Sequence, residues 1–286
     1  MKKILKVLCL MLIGSGAFYA CQEPADMNRA QIPDDVIDRL VNLGFSVTDP
    51  GPIRFEEGFL VEGDIYLTRN DLATMKQGER LATVEQYSTN NLVTSTPRVI
   101  TFYIPEESSG GGRGKKGGGS GGFSATYVAA LDEAISRYNA QNLTLSMQRI
   151  TSSNADIVFT RLNKRQERQG ILGSAGFPTS GGDPYGEIKM SGILESTYGL
   201  SVDGIATIMA HEVGHCIGFR HTDFFDRSIS CGGSPSNEGS AGVGANHIPG
   251  TPTGATLQAK SWMLACTDGG NRPFNNDDRT ALDYLY

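Results

Sequence analysis

His211, Glu212, His215, Gly218 and His221 fall within eleven residues and include three of the chain's four histidines. Histidines at i and i+4 share one face of a helix, so His211 and His215 can aim both imidazoles at one metal ion. Glu212 sits beside that face and can reach a metal-bound water without being a ligand itself. A straight helix would carry His221 away from the ion. Gly218 lets the chain leave the helix and fold His221 back, because glycine tolerates the left-handed backbone of a sharp exit. Three neutral imidazoles with one open, water-filled position form the donor set of a catalytic zinc, not of a closed structural site. The spacing therefore predicts zinc held by His211, His215 and His221, with Glu212 as the general base of a hydrolase.

These residues resemble the zinc-binding signature of the metzincin endopeptidases, whose third ligand is a histidine just past a glycine. A gluzincin would instead take a glutamate from a later helix, and His221 already fills that place. The resemblance implies a methionine turn beneath the metal. Ser261-Trp262-Met263-Leu264-Ala265 offers Met263 for it, 42 residues after His221. Many members carry a tyrosine two residues after this methionine; here the position is Ala265, so no such tyrosine is assigned. Over residues 98–286 the resemblance implies an α+β, metzincin-like (zincin) catalytic domain. Such a domain has a twisted sheet of mixed direction, two long helices behind it, and a peptide or protein substrate.

The elements that must position the histidines are visible in the pattern. The zinc helix starts near Ser201, with Asp203 favourable in its first turn. Ile205, Ile208, Met209 and Ile217 can pack it against a sheet. Cys216 follows His215 and faces about 100° away, as a core thiol or a disulfide partner. Upstream, Val99 to Ile104 reads as a strand stopped by Pro105. Ser124 can cap a helix whose apolar stripe is Val128, Leu131, Ile135 and Tyr138. Leu143 to Ile150 alternates as a half-buried strand does, and Asp156 to Thr160 is a second, more apolar strand. Gly170 to Gly192 is dense in glycine. There the resemblance implies an antiparallel edge strand above the cleft, to which an extended peptide could add, and a surface loop is the alternative. Phe274 to Tyr286 reads as a capped terminal helix similar to the one that closes matrixin domains. Asp223 is placed either to hold an imidazole N–H or to cap the following turn. His247 is a lone loop histidine, structural or lining a specificity pocket.

Residues 21–97 form a candidate pro-region ahead of the peptidase domain at 98–286. Ile32-Pro33-Asp34-Asp35 opens a helix with Val36, Ile37, Leu40, Val41 and Leu43 apolar, stopped at Gly44. Phe59-Leu60-Val61 and Ile65 to Thr68 read as strand. Between them Glu62-Gly63-Asp64 can be a plain turn or bulge. Val61 to Ile65 also resembles the F-x-G-D motif of astacin-type propeptides, with Val61 replacing the phenylalanine. That resemblance implies a zymogen in which Asp64 is a fourth zinc ligand and displaces the catalytic water.

Composition bounds the rest. Hydrophobic residues make up 39% and charged residues 20% of 286 positions, enough for a core and one catalytic domain with a smaller companion. A net charge of −6 argues against a nucleic-acid partner. Residues 1–20 read as an export signal, with a basic start at Lys2 and Lys3 and an apolar run too short to span a bilayer. Ala20-Cys21 resembles the junction of a bacterial lipoprotein, which implies lipidation at Cys21; plain secretion is the alternative. Both place the mature chain outside the cytoplasm, with membrane contact only through the anchor. Cys216, Cys231 and Cys266 stand in the body, so at most one bridge forms. Cys231–Cys266 is the expected pair, with Cys216 able to replace either partner. Nine glycines between Gly110 and Gly122 mark a mobile spacer. A competing class is a catalytically inactive surface-binding protein that keeps the fold. Glu212 speaks against it, because a binder needs no base beside the metal.

Overall fold

The computed structural model describes residues 32–48, 50–75, 86–107, 122–237, 245–252 and 259–286. The expected export signal, Cys21 and the glycine-rich run up to Gly121 lie outside the described residues.

The N-terminal unit begins with α1 (Asp34–Leu43), which has Asp34 and Asp35 in its first turn. Gly44 ends it at φ 81°, donating to the carbonyls of Leu40 and Val41. Strands β1 (Ile53–Phe55), β2 (Gly58–Val61) and β3 (Ile65–Leu67) form an antiparallel sheet in that order. Helix α2 (Arg69–Thr74) follows, closed by a reciprocal cap between Thr68 and Asp71. Val36, Leu40 and Leu43 bury against Phe59, Val61, Ile65 and Leu72, so this unit has a core of its own. The pairing of Val61 with Ile65 leaves Glu62, Gly63 and Asp64 as a three-residue hairpin tip. Glu62 and Gly63 both have left-handed backbone, at φ 54° and 97°.

Strand β4 (Tyr87–Ser88) precedes the larger body, whose elements are β5 (Arg98–Tyr103), α3 (Ala125–Asn139), β6 (Leu145–Arg149), β7 (Ile157–Arg161) and α4 (Lys164–Arg168). Then come β8 (Gly173–Ser174), β9 (Glu187–Met190), α5 (Val202–Ile217), α6 (Ser228–Cys231), β10 (Asn246–His247) and α7 (Asn276–Leu285). The central sheet runs β6-β5-β7-β9-β8; every pairing is parallel except β8 with β9, so the sheet is mixed. The two long helices, α3 and α5, pack on each other. Arg137 donates to Thr207 Oγ1 at 3.2 Å and the Tyr138 hydroxyl to the Ala210 carbonyl at 2.8 Å.

Two local expectations change in detail. Ser124 does precede α3, but its hydroxyl is turned towards Glu195, to which it donates at 2.7 Å, and its oxygen accepts from no helix N–H. Strand β6 begins at Leu145, two residues later than the alternation suggests, and Leu143 packs half-buried at the core margin.

The N-terminal unit docks on the sheet edge. The Tyr66 N–H donates to the Ala175 carbonyl at 2.7 Å, and the Ala175 N–H to the Asp64 carbonyl at 3.1 Å. Backbone groups beside β8 that could receive another chain are thus already paired with the hairpin. Phe177 completes the contact by joining the N-terminal core.

Candidate metal centre

Helix α5 supplies the first two histidines because both its ends are specified locally. Ser201 Oγ accepts from the Gly204 N–H, and Asp203 lies in the positive first turn. Gly218 ends the helix at φ 109°, and a Cβ there would stand 2.8 Å from the Asn91 carbonyl oxygen. Both constraints select glycine. The chain then returns along β4, with Arg220 N–H donating to the Tyr87 carbonyl at 2.9 Å, and this brings His221 back to the helix.

Three imidazoles and one carboxylate converge. His215 Nε2 lies 3.1 Å from His211 Nε2 and 3.2 Å from His221 Nε2. Asp64 Oδ2, from the hairpin tip, lies 3.1 Å from His221 Nε2 and 3.4 Å from His211 Nε2. Ligands about 2.0–2.1 Å from a tetrahedral centre stand about 3.3–3.4 Å apart. These four pairs come near that spacing, and Asp64 Oδ1 lies 3.9 Å from His215 Nε2. All four donors lie within 4.8 Å of one another, a set that could hold a metal ion. The outer nitrogens agree: His211 Nδ1 faces the Trp262 carbonyl at 2.9 Å and His215 Nδ1 faces the Phe219 carbonyl at 2.8 Å. Carbonyls only accept, so each Nδ1 carries the proton and each Nε2 turns a lone pair inward. Asp64 Oδ1 has no hydrogen-bond partner, as suits a carboxylate whose counter-charge is a cation. Burial drives the His215 pKa well down, helped by His211 and His221, and so favours the neutral ligand form. Burial acts to raise the Asp64 pKa, but His221, His211 and His215 together outweigh it and hold the carboxyl well below the usual range.

Glu212 stands beside this cluster, buried, with Oε2 unpartnered. Burial and the charge of Asp64 push its pKa well up, while His221 acts against them. A Cβ on Gly173 would lie 2.3 Å from Glu212 Oε1, so any larger residue there would have to displace the carboxylate from its present position. Met263 is fully buried. A Cβ on Gly214 would meet its sulfur at 2.4 Å, which puts the thioether against the helix next to His215. The neighbouring loop is fastened from α7, where Asp278 accepts from the Trp262 N–H at 3.3 Å and from Gln86 Nε2 at 2.5 Å. A cavity of about 250 Å³ opens beside Asp64, His211 and Glu212, with Ile208 and Leu264 in its wall.

The remaining sequence candidates lie as follows. Asp223 accepts from the Ala265 N–H at 2.9 Å and from the Ser230 hydroxyl at 2.5 Å, joining the segment after His221 to the methionine loop. Cys231 and Cys266 form a disulfide across 35 residues on the same side. Replacing both with serine is expected to lower stability by about 3–4 kcal/mol through restored unfolded-state entropy, read as a shift in urea midpoint. Cys216 is buried and free, its thiol pushed well up by burial and by Glu212. His247 pairs in β10 with Tyr87 and approaches Thr251, apart from the four converging donors. Sequence reading missed Glu62, Arg220 and Arg227. Glu62 and Arg220 form a fully buried ion pair at 2.7 Å between the hairpin tip and the residue before His221.

A sequence profile of the family described as dual-action HEIGH metallo-peptidase matches residues 59–286, a span that includes the hairpin tip. Here the name-giving pentad reads His211-Glu212-Val213-Gly214-His215. A comparison with curated proteins finds no match. Among solved structures, the chain is similar to one described as "Structure of myroilysin" at 14% identity, covering 68% of this chain and 95% of that one, with a TM-score of 0.37. It is also similar to "GM1 bound form of the ECX AB5 holotoxin" at 17% identity, covering 72% and 81%, with a TM-score of 0.34.

Proposed function

The chain belongs to the dual-action HEIGH metallo-peptidase family, and from that premise we propose that it is a zinc endopeptidase held in a latent state by its own N-terminal unit. The observation that carries the reading is the convergence of one donor atom each from Asp64, His211, His215 and His221 within 4.8 Å of one another, a donor set that suits zinc. A zinc ion held there would lower the pKa of a coordinated water towards neutrality and polarise the scissile carbonyl. Glu212 is the proton carrier: its carboxylate takes a proton from the attacking water and passes it to the leaving amine. The carbonyls of Trp262 and Phe219 hold two imidazoles in the required tautomer. Asp64 fills the fourth position while the hairpin is docked, so water is excluded until the N-terminal unit leaves.

Purified, matured chain is expected to cleave casein with one zinc bound. Dialysis against a chelator should abolish cleavage, and added zinc should restore it. Cleavage by metal-free protein would defeat the reading.

We further infer, from the Lys2-Lys3 start, the short apolar run and the Ala20-Cys21 junction, that the mature chain begins at a lipidated Cys21 and sits outside the cytoplasm. Intact-mass measurement should show loss of residues 1–20 and added acyl groups; an unmodified chain starting elsewhere would exclude it.

A further inference from the structure

The hairpin tip carries a second carboxylate that the metal centre does not use. Glu62 is fully buried, and Arg220 Nη2, equally buried, donates to its Oε2 at 2.7 Å. The Ser46 N–H faces Glu62 Oε1 at 3.4 Å, and Arg227 Nη1 donates to the Glu62 carbonyl at 2.9 Å. The Arg220 guanidinium also lies over two rings, 5.4 Å from the centroid of Phe45 and 5.7 Å from that of Phe224. Phe45 and Ser46 belong to the N-terminal unit and would depart with it. Arg220, Arg227 and Phe224 belong to the body and would stay.

What stays is a cationic recess next to the reaction centre. Arg220 immediately precedes His221, and Glu62 is two residues from Asp64, so their Cα atoms can be no more than about 7 Å apart. A guanidinium cannot release its proton to escape burial. Once the tip has gone, the position that the Glu62 carboxylate fills at Arg220 Nη2 is vacated, and another carboxylate is the group that fits it.

Resting on the latent-peptidase reading, we propose that Arg220 and Arg227 form a carboxylate-recognition subsite of the mature enzyme, occupied by Glu62 in the latent chain. The ligand is a peptide carboxylate within one or two residues of the scissile bond, either a glutamate or aspartate side chain or a free C-terminus.

Two measurements test this. In the zinc-loaded full-length chain, Glu62→Ala opens the recess while the hairpin backbone can still dock on Ala175. Propionate fits the deleted atoms, and at ten times its dissociation constant it should raise the variant's Tm by about 3 °C. Propionamide should not, and wild type should respond to neither. A variant indifferent to propionate, or a wild type that responds equally, would overturn the proposal. The second measurement needs no variant, so it decides the matter even if Glu62→Ala does not fold. Matured wild-type enzyme is given peptide pairs differing only as glutamate against glutamine, each with a free or amidated C-terminus. Carboxylate peptides should be cleaved with kcat/KM about 10–100-fold higher, and the position and terminus dependence identify which carboxylate is read. Equal rates for every pair would overturn the subsite. Failure to cleave any peptide would instead count against the peptidase reading, and the propionate measurement would still decide the recess.

Discussion

Glu212→Ala is expected to lower kcat about 10²–10⁴-fold, the range removed with a general base, while one zinc per chain is retained. The separation of the two readouts follows from the geometry. The converging donors are the three histidines and Asp64, and Glu212 stands beside them without belonging to the set. Two of the imidazoles are oriented by the carbonyls of Trp262 and Phe219, neither of which depends on Glu212. Metal analysis should therefore show unchanged stoichiometry, and KM should move far less than kcat. The substitution should also be tolerated by the fold. Glu212 is buried with an unpartnered oxygen and has the charge of Asp64 nearby, so its carboxylate is a cost to the native state. Full proteolysis by a pure Glu212→Ala chain would refute the assignment of the base. Zinc loss would show that Glu212 holds the metal.

Helix α5 and its exit were legible because they depend on local geometry. The i, i+4 spacing of His211 and His215 fixes a shared face whatever the rest of the chain does. The need for left-handed backbone at Gly218 is likewise a property of one residue. Strands β5 and β7, and the strand stretches of β2 and β3, were legible for a similar reason, since runs of branched and aromatic residues ended by Pro105 or interrupted at Gly63 carry their own boundaries. The pairing of β4 with β10 was not legible, because two-residue strands have no periodicity to detect. Nor was the Glu62–Arg220 ion pair, whose partners stand 158 residues apart. Each is an ordinary surface-type residue in isolation, and only docking of the hairpin buries them together. From the sequence, Glu62-Gly63-Asp64 could be a turn or bulge, or a stretch resembling a latency motif. The stretch is a turn, and as the tip of a hairpin it projects Asp64 to the histidines.

Asp64→Ala should raise the peptidase activity of the full-length chain about tenfold or more, and leave the processed enzyme unchanged. On the proposed zinc, three histidines would leave one tetrahedral position, and a carboxylate supplied from the same chain would compete for it at a high effective concentration. Alanine offers no donor, so water can enter that position even while the hairpin stays near. The rise should fall short of complete activation, because Asp64 is one of several contacts. The backbone bonds to Ala175 and the buried Glu62–Arg220 pair still hold the tip over the cleft. Asp64→Asn should give a smaller rise, since a neutral amide is a weaker zinc donor than a carboxylate yet occupies the same space. Removing Asp64 and Glu62 together should exceed either change alone, because the tip then loses both of its charged attachments. An enzyme processed as proposed would lack the hairpin, so its kcat/KM should not depend on which residue once stood at position 64. Hydrolysis of a quenched peptide, followed before any self-cleavage appears on a gel, measures these rates. Equal, high activity of full-length wild type and Asp64→Ala would mean that the carboxylate does not restrain the enzyme, and latency through Asp64 would have to be abandoned.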